Sequence, residues 1–253
     1  MRRAAWASLL MIGSVVAADP SAARGVRLVT GLEYSQFADP GAPNGGMPAE
    51  LVLAAFEAAG VAVEQIEFMP WKRGYEEVLN RKFDATFPYI RAPGRDQLML
   101  YSAPIYEIAV WPAFRADRVR SYVGPEGLAG LTLCEPLGWA PPTELLPLID
   151  AGKVSLVEAS SLQLCTRQLL AARVDMLITS SALFERVVRP EWHDGLPPAL
   201  GDHPIANDRQ YLLMARSNPA APEMLARFAA GLEILRTEGR YDAILCRDHG
   251  ASP

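Results

Sequence analysis

The sequence is poor in histidine and cysteine, with three of each among its 253 residues. It contains neither a C-x-x-C pair nor an H-E-x-x-H segment, the spacings that bring metal-binding side chains together. We therefore expect no metal site and no cofactor. His193 and His203 lie on either side of a proline-rich loop, and we interpret both as residues that cap that loop.

Positive charge is also scarce, because 24 lysines and arginines face 29 aspartates and glutamates, for a net charge of -5. Nucleic-acid binding normally needs a basic face, so we expect no nucleic-acid partner. Half of the residues are apolar and 21% are charged, the balance of an ordinary globular protein. The length suits either two units of about 100 residues each or one large α/β domain.

Long apolar runs are missing except at the N-terminus, where Arg2 and Arg3 precede an apolar run over residues 4–18. This run is shorter than the roughly 20 residues that span a bilayer, and small residues follow it. We predict a secretory signal peptide over residues 1–18, cut after Ala18 or as late as Ala23; the alternative is a core helix. No cysteine follows the run to carry a lipid. We therefore expect a soluble protein exported to the periplasm.

The three cysteines are Cys134, Cys165 and Cys246. Cys134 ends an apolar, strand-like run and Cys165 lies in a helical pattern, and an exported protein meets an oxidising environment. A bridge between these two would stabilise the fold by roughly 3.5 to 4 kcal/mol and leave Cys246 as a lone thiol. The alternative is three reduced, buried cysteines.

Strand-like and helical patterns alternate along the chain. From residue 26 to residue 89 the order is β-α-β-α-β, and Pro48 and Gly60 mark the two ends of the first helix. The same alternation starts again near Glu107 and runs to about Asp208, and it includes a helix predicted over residues 141–152. It predicts an α/β fold in which helices flank a mainly parallel sheet in each of two units, with ligand chemistry at the carboxyl ends of the strands.

We predict two lobes, one formed by residues 26–106 plus 210–248 and the other by residues 107–209. No low-complexity linker separates them in the sequence. The joins near Glu107 and Asp208 must therefore be short crossing strands, which form a hinge.

Three segments together resemble one known family. They are "FDATFPYIRAPGRDQLMLYSAPIY", "ARVDMLITSSAL" and "LEILRTEGRYDAIL", in this order behind an export signal. The chain resembles the bacterial extracellular solute-binding proteins of family 3, the polar amino-acid type, over nearly the whole mature length. The resemblance implies the two-lobed periplasmic-binding protein type II fold. It also implies a protein without enzymatic activity, which closes over a small solute and delivers it to an ABC transporter.

The resemblance implies that Arg95 binds the carboxylate of the ligand through two hydrogen bonds. A planar guanidinium matches the two oxygens of a carboxylate, so the chemistry fits. The alternative is a surface arginine at a solvated helix start, since Asp96 follows and would compete for the charge.

Other ligand contacts are carried over from the same resemblance. It implies that Tyr34 and Trp71 stack on the apolar part of the ligand, with Phe37 as a further ring. In residues 88–91, "PYIR" replaces the small hydroxyl residues that many members use, which makes Tyr89 and Arg91 additional candidates.

The second lobe departs from the family pattern. Ser180 occupies the place of an aspartate that accepts the α-ammonium group of an amino acid, and a serine cannot neutralise that charge. In "LGWAPPTE", Trp139 replaces a hydroxyl residue and is a candidate third ring. We therefore expect a carboxylate-bearing solute with an apolar or aromatic body, with an amino acid or a derivative retained as an alternative.

Two other functions remain open. The same fold hosts dehydratases, in which Glu107, Glu135 or Asp208 would perform acid-base chemistry, although no carboxylate pair or nucleophile motif is recognisable. A solute sensor that reports to a membrane receptor is the other. For a transporter component we expect a membrane permease as partner and a monomeric protein.

Overall fold

The computed structural model describes residues 25–32, 41 and 43–248. Tyr34, Phe37 and the predicted signal peptide lie outside the described residues. The strands are Val26–Gly31 (β1), Val63–Met69 (β2), Ala85–Tyr89 (β3), Met99–Tyr101 (β4), Tyr106–Arg115 (β5), Thr132–Pro136 (β6), Ser155–Ala159 (β7), Met176–Thr179 (β8), Pro198–Leu200 (β9) and Ala206–Ala215 (β10). The helices are Met47–Ala58 (α1), Trp71–Leu79 (α2), Arg95–Leu98 (α3), Leu146–Asp150 (α4), Leu162–Leu170 (α5), Ser181–Leu183 (α6), Ala221–Thr237 (α7) and Arg240–Asp248 (α8).

The strands join in the order β2-β1-β3-β10-β5-β8-β6-β7, with β4 paired to β10 and β9 paired to β5. We name β1 to β4 the N-terminal strand group and β6 to β9 the central strand group. Strand β1 is parallel to β2 and β3, and β6 is parallel to β7 and β8. Each group therefore has the parallel core that the β-α-β alternation predicts, and the mixed α/β fold class is confirmed.

Strands β5 and β10 connect the two groups. Their first halves pair antiparallel with each other, so that Glu107 faces Arg209 and Asp208 faces Ile108. The second half of β5 continues into pairs with β8 and β9, and the second half of β10 continues into pairs with β3 and β4. The chain therefore crosses between the groups on two strands of ten residues each.

Helices α1 and α7 cover the N-terminal strand group and pack against each other at very close range. Phe56 and Phe228 contact each other with ring centroids 5.0 Å apart. A Cβ atom built on Gly231 would lie 1.8 Å from the carbonyl oxygen of Ala55. Any side chain at this position would push the two helices apart, so glycine is required by the packing.

A disulfide joins Cys134 on β6 to Cys165 on α5, and Cys246 is a free, exposed cysteine. The predicted pairing is confirmed. Both bridged residues are almost completely buried, so the bridge ties a strand of the central strand group to its covering helix.

Two sequence predictions differ from the structure in detail. The helix expected over residues 141–152 is reduced to α4, because three prolines remove backbone donors from that segment. The loop after His193 contains the short strand β9, which pairs with the end of β5. Among the residues that the structure describes, no helix has the length and apolarity required to cross a bilayer.

Candidate functional site

A cavity of about 600 Å³, measured to its open mouth, lies between the N-terminal and central strand groups. Its lining comes from both groups and from the two crossing strands. The lining residues are Trp71, Pro88, Tyr89, Ile90, Arg95, Val110, Glu135, Gly138, Trp139, Ala140, Pro142, Ile178, Thr179, Ser180, Leu183, Asp208 and Gln210. This figure includes open solvent at the mouth, and the space that the centre of a water-sized sphere can reach is about 70 Å³.

Arg95 begins helix α3, after the loop that follows β3, and its side chain is half-buried. Its Nη1 donates a hydrogen bond of 2.8 Å to the carbonyl oxygen of Ile90, and its guanidinium lies 5.1 Å from the ring centre of Tyr89. Asp96 is exposed and forms no ion pair with Arg95 in the part of the chain that the structure describes. The Arg95 guanidinium is therefore held at the cavity by the Ile90 carbonyl and by a hydrogen bond with the Tyr75 side chain.

Three aromatic rings line the same cavity. Trp71 opens helix α2 and packs edge-on against Tyr89, with centroids 5.5 Å apart, and against Trp139, with centroids 6.4 Å apart. The Tyr89 hydroxyl donates a 2.9 Å hydrogen bond to the carbonyl oxygen of Trp71, and burial raises the pKa of this hydroxyl. The rings form an apolar wall with little freedom to move, which suits the apolar part of a solute.

The turn after β6 approaches helix α2 closely at Gly138. This residue has φ of 91°, and a Cβ atom built on it would lie 2.6 Å from the backbone nitrogen of Lys72 and 3.0 Å from the Cβ of Trp71. Glycine therefore serves two purposes here, since it adopts the left-handed conformation and lets the turn after β6 approach α2.

Ser180 lies at the end of β8 and is buried against the cavity. Its hydroxyl oxygen accepts a hydrogen bond of 3.2 Å from the backbone nitrogen of Leu183 and so caps helix α6. The cap accounts for a serine at this position. It also leaves β8 without a charged group at the cavity.

Two carboxylates face the cavity from other strands. Glu135, near the end of β6, is only 5% exposed, and Asp208, on β10, is half-buried. Burial, and then the negative charges of Asp208 and Glu158, raises the pKa of Glu135 to about 8. Burial, and then the charge of Glu144, raises the pKa of Asp208 to about 6. Glu135 is therefore mostly protonated at neutral pH.

Of the residues proposed from sequence, the structure brings Arg95, Trp71, Tyr89, Trp139 and Ser180 together around the cavity. Arg91 is exposed and does not line it; its guanidinium lies 4.5 Å from the ring centre of Tyr101. Tyr34 and Phe37 fall on residues that are not described.

The remaining carboxylate that the sequence suggested, Glu107, is exposed and forms a 3.2 Å ion pair with Arg209. Sequence reasoning missed Gln210, which is 5% exposed and lines the cavity. An available signal was its position in a crossing strand, two residues after Asp208, since alternate residues of a strand share a face.

No protein-family model and no curated protein matches this sequence. Solved structures do match, and they differ in role. A histidine kinase sensor domain with similarity to periplasmic binding proteins superposes with a TM-score of 0.74 at 22% identity, covering 91% of this chain and 98% of that one.

Two other similar structures are binding proteins. An amino acid ABC transporter substrate-binding protein from Streptococcus pneumoniae, bound to L-arginine, superposes with a TM-score of 0.69 at 17% identity over 88% of this chain and 94% of that one. An ancestral amino acid-binding protein, a precursor of cyclohexadienyl dehydratase, superposes with a TM-score of 0.68 at 16% identity, over 88% of this chain and 95% of that one. At these identities the likeness establishes the fold, which is the type II periplasmic-binding protein fold.

Proposed function

We propose that the protein is an extracytoplasmic solute-binding protein of the polar amino-acid type, which captures a small carboxylate-bearing solute and delivers it to an ABC transporter. The observation that carries the proposal is Arg95 at the cavity. Its guanidinium is held by the Ile90 carbonyl and the Tyr75 side chain, and Arg95 is one of the residues that line the cavity. A planar guanidinium matches the two oxygens of a carboxylate.

The walls of the cavity indicate the body of the solute. Trp71, Tyr89 and Trp139 offer ring faces and edges, and Val110, Ile178 and Leu183 add aliphatic surface. An apolar or aromatic body attached to the carboxylate would bury its surface against them. The likeness of the fold to amino acid-binding proteins supports the same class of ligand.

Binding is proposed to close two lobes, residues 26–106 plus 210–248 and residues 107–209. The cavity takes lining residues from both, and β5 and β10 are the strands that cross between the two strand groups in the part of the chain that the structure describes. A solute that contacts Arg95 on one side and Trp139 on the other favours the closed form, because these contacts are complete only there. Residues from both lobes should therefore affect affinity.

A membrane permease is the proposed partner, and the protein is proposed to act as a periplasmic monomer without enzymatic activity. The sensor alternative draws support from the similarity to a histidine kinase sensor domain. Genes for a permease and an ATPase beside the gene of this protein would favour transport, and a receptor gene would favour sensing.

Catalysis is a second candidate function because Glu135 is a buried acid at the cavity with a pKa of about 8. A protonated carboxyl at neutral pH can donate a proton to a leaving hydroxyl, as in a dehydratase. Incubating the purified protein with prephenate-like acids and analysing the mixture for dehydrated products tests this. Product formation that is lost in Glu135→Gln would establish the enzyme; unchanged acids would leave binding as the function.

The Arg95→Ala variant tests the proposed function. Charge-assisted hydrogen bonds contribute about 1.5 to 3 kcal/mol each, so losing two should weaken carboxylate binding by about 100-fold or more. Affinity is measured by calorimetry on acids that raise the melting temperature of the wild-type protein in a screen of amino acids, opines and aromatic acids.

The control for this test is Arg73→Ala, which removes an exposed arginine on α2 with a 3.8 Å ion pair to Glu77. It should leave affinity unchanged. Arg95→Lys should bind weakly, because an ammonium lacks the planar fork. A folded Arg95→Ala protein that binds acids as tightly as wild type would disprove the proposal.

A further inference from the structure

The cavity holds two carboxylates for which the described residues provide no positive partner. Glu135 and Asp208 both line it, and each lacks an ion pair or side-chain hydrogen bond with any described residue. The pKa of each is raised by burial and by neighbouring negative charges. An unpaired buried carboxylate is costly, and proteins normally provide it with a cation or hydrogen-bond donors.

These two residues come from strands on opposite sides of β8. Glu135 is on β6, and β6 pairs with β8; Asp208 is on β10, which is separated from β8 only by β5. Both carboxylates line the same cavity, and the negative charge of Asp208 contributes to the raised pKa of Glu135. Ser180, at the end of β8 itself, uses its hydroxyl to cap α6.

We propose that Glu135 and Asp208 form a subsite for a protonated nitrogen group of the ligand, an ammonium or a guanidinium, in the cavity that Arg95 also lines. The inference rests on the proposed function and narrows its ligand class to zwitterions. The nitrogen group is received by β6 and β10, while β8, where the sequence placed the amine site, contributes only the neutral Ser180.

The neighbours of the pair suit an ammonium better than a metal ion. Gln210 and Thr179 line the same cavity and offer neutral oxygens, so that an ammonium with three donors finds acceptors beside the carboxylates. Within the described part of the chain, no group of three or more histidine, cysteine, aspartate or glutamate side chains is placed to hold a metal ion. Two carboxylates alone are a poor cage for a divalent cation.

Filling this subsite displaces a proton. The charged groups around the pair are Glu158 on β7, which acts on Glu135, Glu144 beyond β6, which acts on Asp208, and Arg95, which lines the same cavity. Burial, and then the negative charges of Asp208 and Glu158, keeps Glu135 protonated when the cavity contains no cation. A bound ammonium stabilises the ionised form of Glu135, so its carboxyl proton leaves to solvent as the nitrogen group arrives.

Two sets of matched compounds test the assignment. The first consists of phenylalanine, phenylpropanoate and phenethylamine; the second consists of para-(aminomethyl)benzoate, para-methylbenzoate and para-methylbenzylamine. In each set the first compound carries both charged groups, the second only the carboxylate and the third only the amine. We expect the zwitterion of at least one set to bind wild-type protein at least about tenfold more tightly than its two partners.

The variants Glu135→Gln and Asp208→Asn should remove that preference. Each should weaken the zwitterion by about tenfold or more and leave the carboxylate-only compound within about twofold. Glu158→Gln, which removes an exposed carboxylate from the neighbouring strand, should change neither affinity by more than about twofold. Titrations in buffers of different ionisation enthalpy at neutral pH should show release of up to about one proton per zwitterion in wild type and almost none in Glu135→Gln.

The outcomes separate this inference from the proposed function. If carboxylate-only compounds bind through Arg95 as tightly as the zwitterions, or if the two variants keep the amine preference, the subsite is overturned and the carboxylate-binding function stands. If amine-only compounds bind through Glu135 and Asp208 without help from Arg95, the subsite stands and the carboxylate function falls. If no amine-bearing compound binds wild type, the subsite is overturned.

Discussion

Glu135 lies within β6, and its burial there is the main cause of its raised pKa. In the folded protein it holds a proton up to a pKa of about 8, whereas an unfolded glutamate loses it near a pKa of about 4.3. Between these values the native state binds more protons than the unfolded state. The free energy of unfolding contributed by this residue therefore falls as pH rises through that window.

The Glu135→Gln variant should remove this pH dependence, since glutamine keeps the shape without an ionisable group. We compare the unfolding free energy of the variant minus that of wild type at two pH values. This difference should be more than about 1 kcal/mol larger at about pH 8.5 than at about pH 5. Urea denaturation at both pH values measures it. Glu233→Gln, on an exposed side chain of α7, is the control and should show no such increase; equal gains at both pH values for Glu135→Gln would contradict the prediction.

The chemistry of single residues was only partly predictable from the sequence. Arg95 and Trp71 were selected by resemblance, and the structure places both at the cavity. From the sequence, Ser180 was interpreted as a position where the charged residue of the family is lost. The structure explains the serine, because its hydroxyl caps helix α6. The role of Glu135 and Asp208 as a pair depends on two strands that are distant in sequence and line one cavity only in the folded protein, so no local pattern could reveal it.

At the scale of elements, the disulfide joins β6 to α5 and so supports the strand that carries Glu135. Replacing both Cys134 and Cys165 by alanine should lower the free energy of unfolding by about 3.5 kcal/mol, because the closed loop restricts the unfolded chain. Chemical denaturation with and without reductant measures the loss.

Cys246→Ala is the matched control for the disulfide, since it removes an exposed thiol, and should change stability by less than about 0.5 kcal/mol. If a reductant that opens the bridge leaves the unfolding midpoint of the wild-type protein in place, the predicted contribution is wrong.

Element types were easier to predict than element limits. The alternation of strands and helices follows from apolar periodicity, which is local. The shortened α4 reflects Pro141, Pro142 and Pro147, whose effect on helix length competes with the apolar pattern. Strand β9 is three residues long and forms by pairing with the end of β5. The sequence of the loop alone does not show that this partner is available.

At the scale of the whole molecule, Gly138 lies where the turn after β6 meets helix α2. In Gly138→Ala the added Cβ would collide with the backbone of Lys72 and should disfavour the closed arrangement. Ligand affinity should fall by at least about tenfold, because the competent form is less populated. Small-angle X-ray scattering should show a larger radius of gyration in the presence of ligand than for wild type.

Gly130→Ala is the control that separates collision from backbone strain. Gly130 also has a positive φ, of 84°, but its built Cβ meets no atom within 4 Å. Both variants should lose similar stability from the strained backbone, by about 1 kcal/mol, while only Gly138→Ala should lose affinity. Equal affinity losses in the two variants would refute the argument.

The return of β10 to the N-terminal strand group has a consequence for the order of synthesis. Strands β1 and β3 leave the ribosome early. The strand that pairs with β3, which is β10, and the helix that packs on α1, which is α7, are synthesised only after residue 205. Residues 107–209, by contrast, hold β6, β7 and β8 in one continuous stretch. A nascent chain stopped before Ala206 thus has half of its architecture complete in sequence and the other half missing a strand and a covering helix.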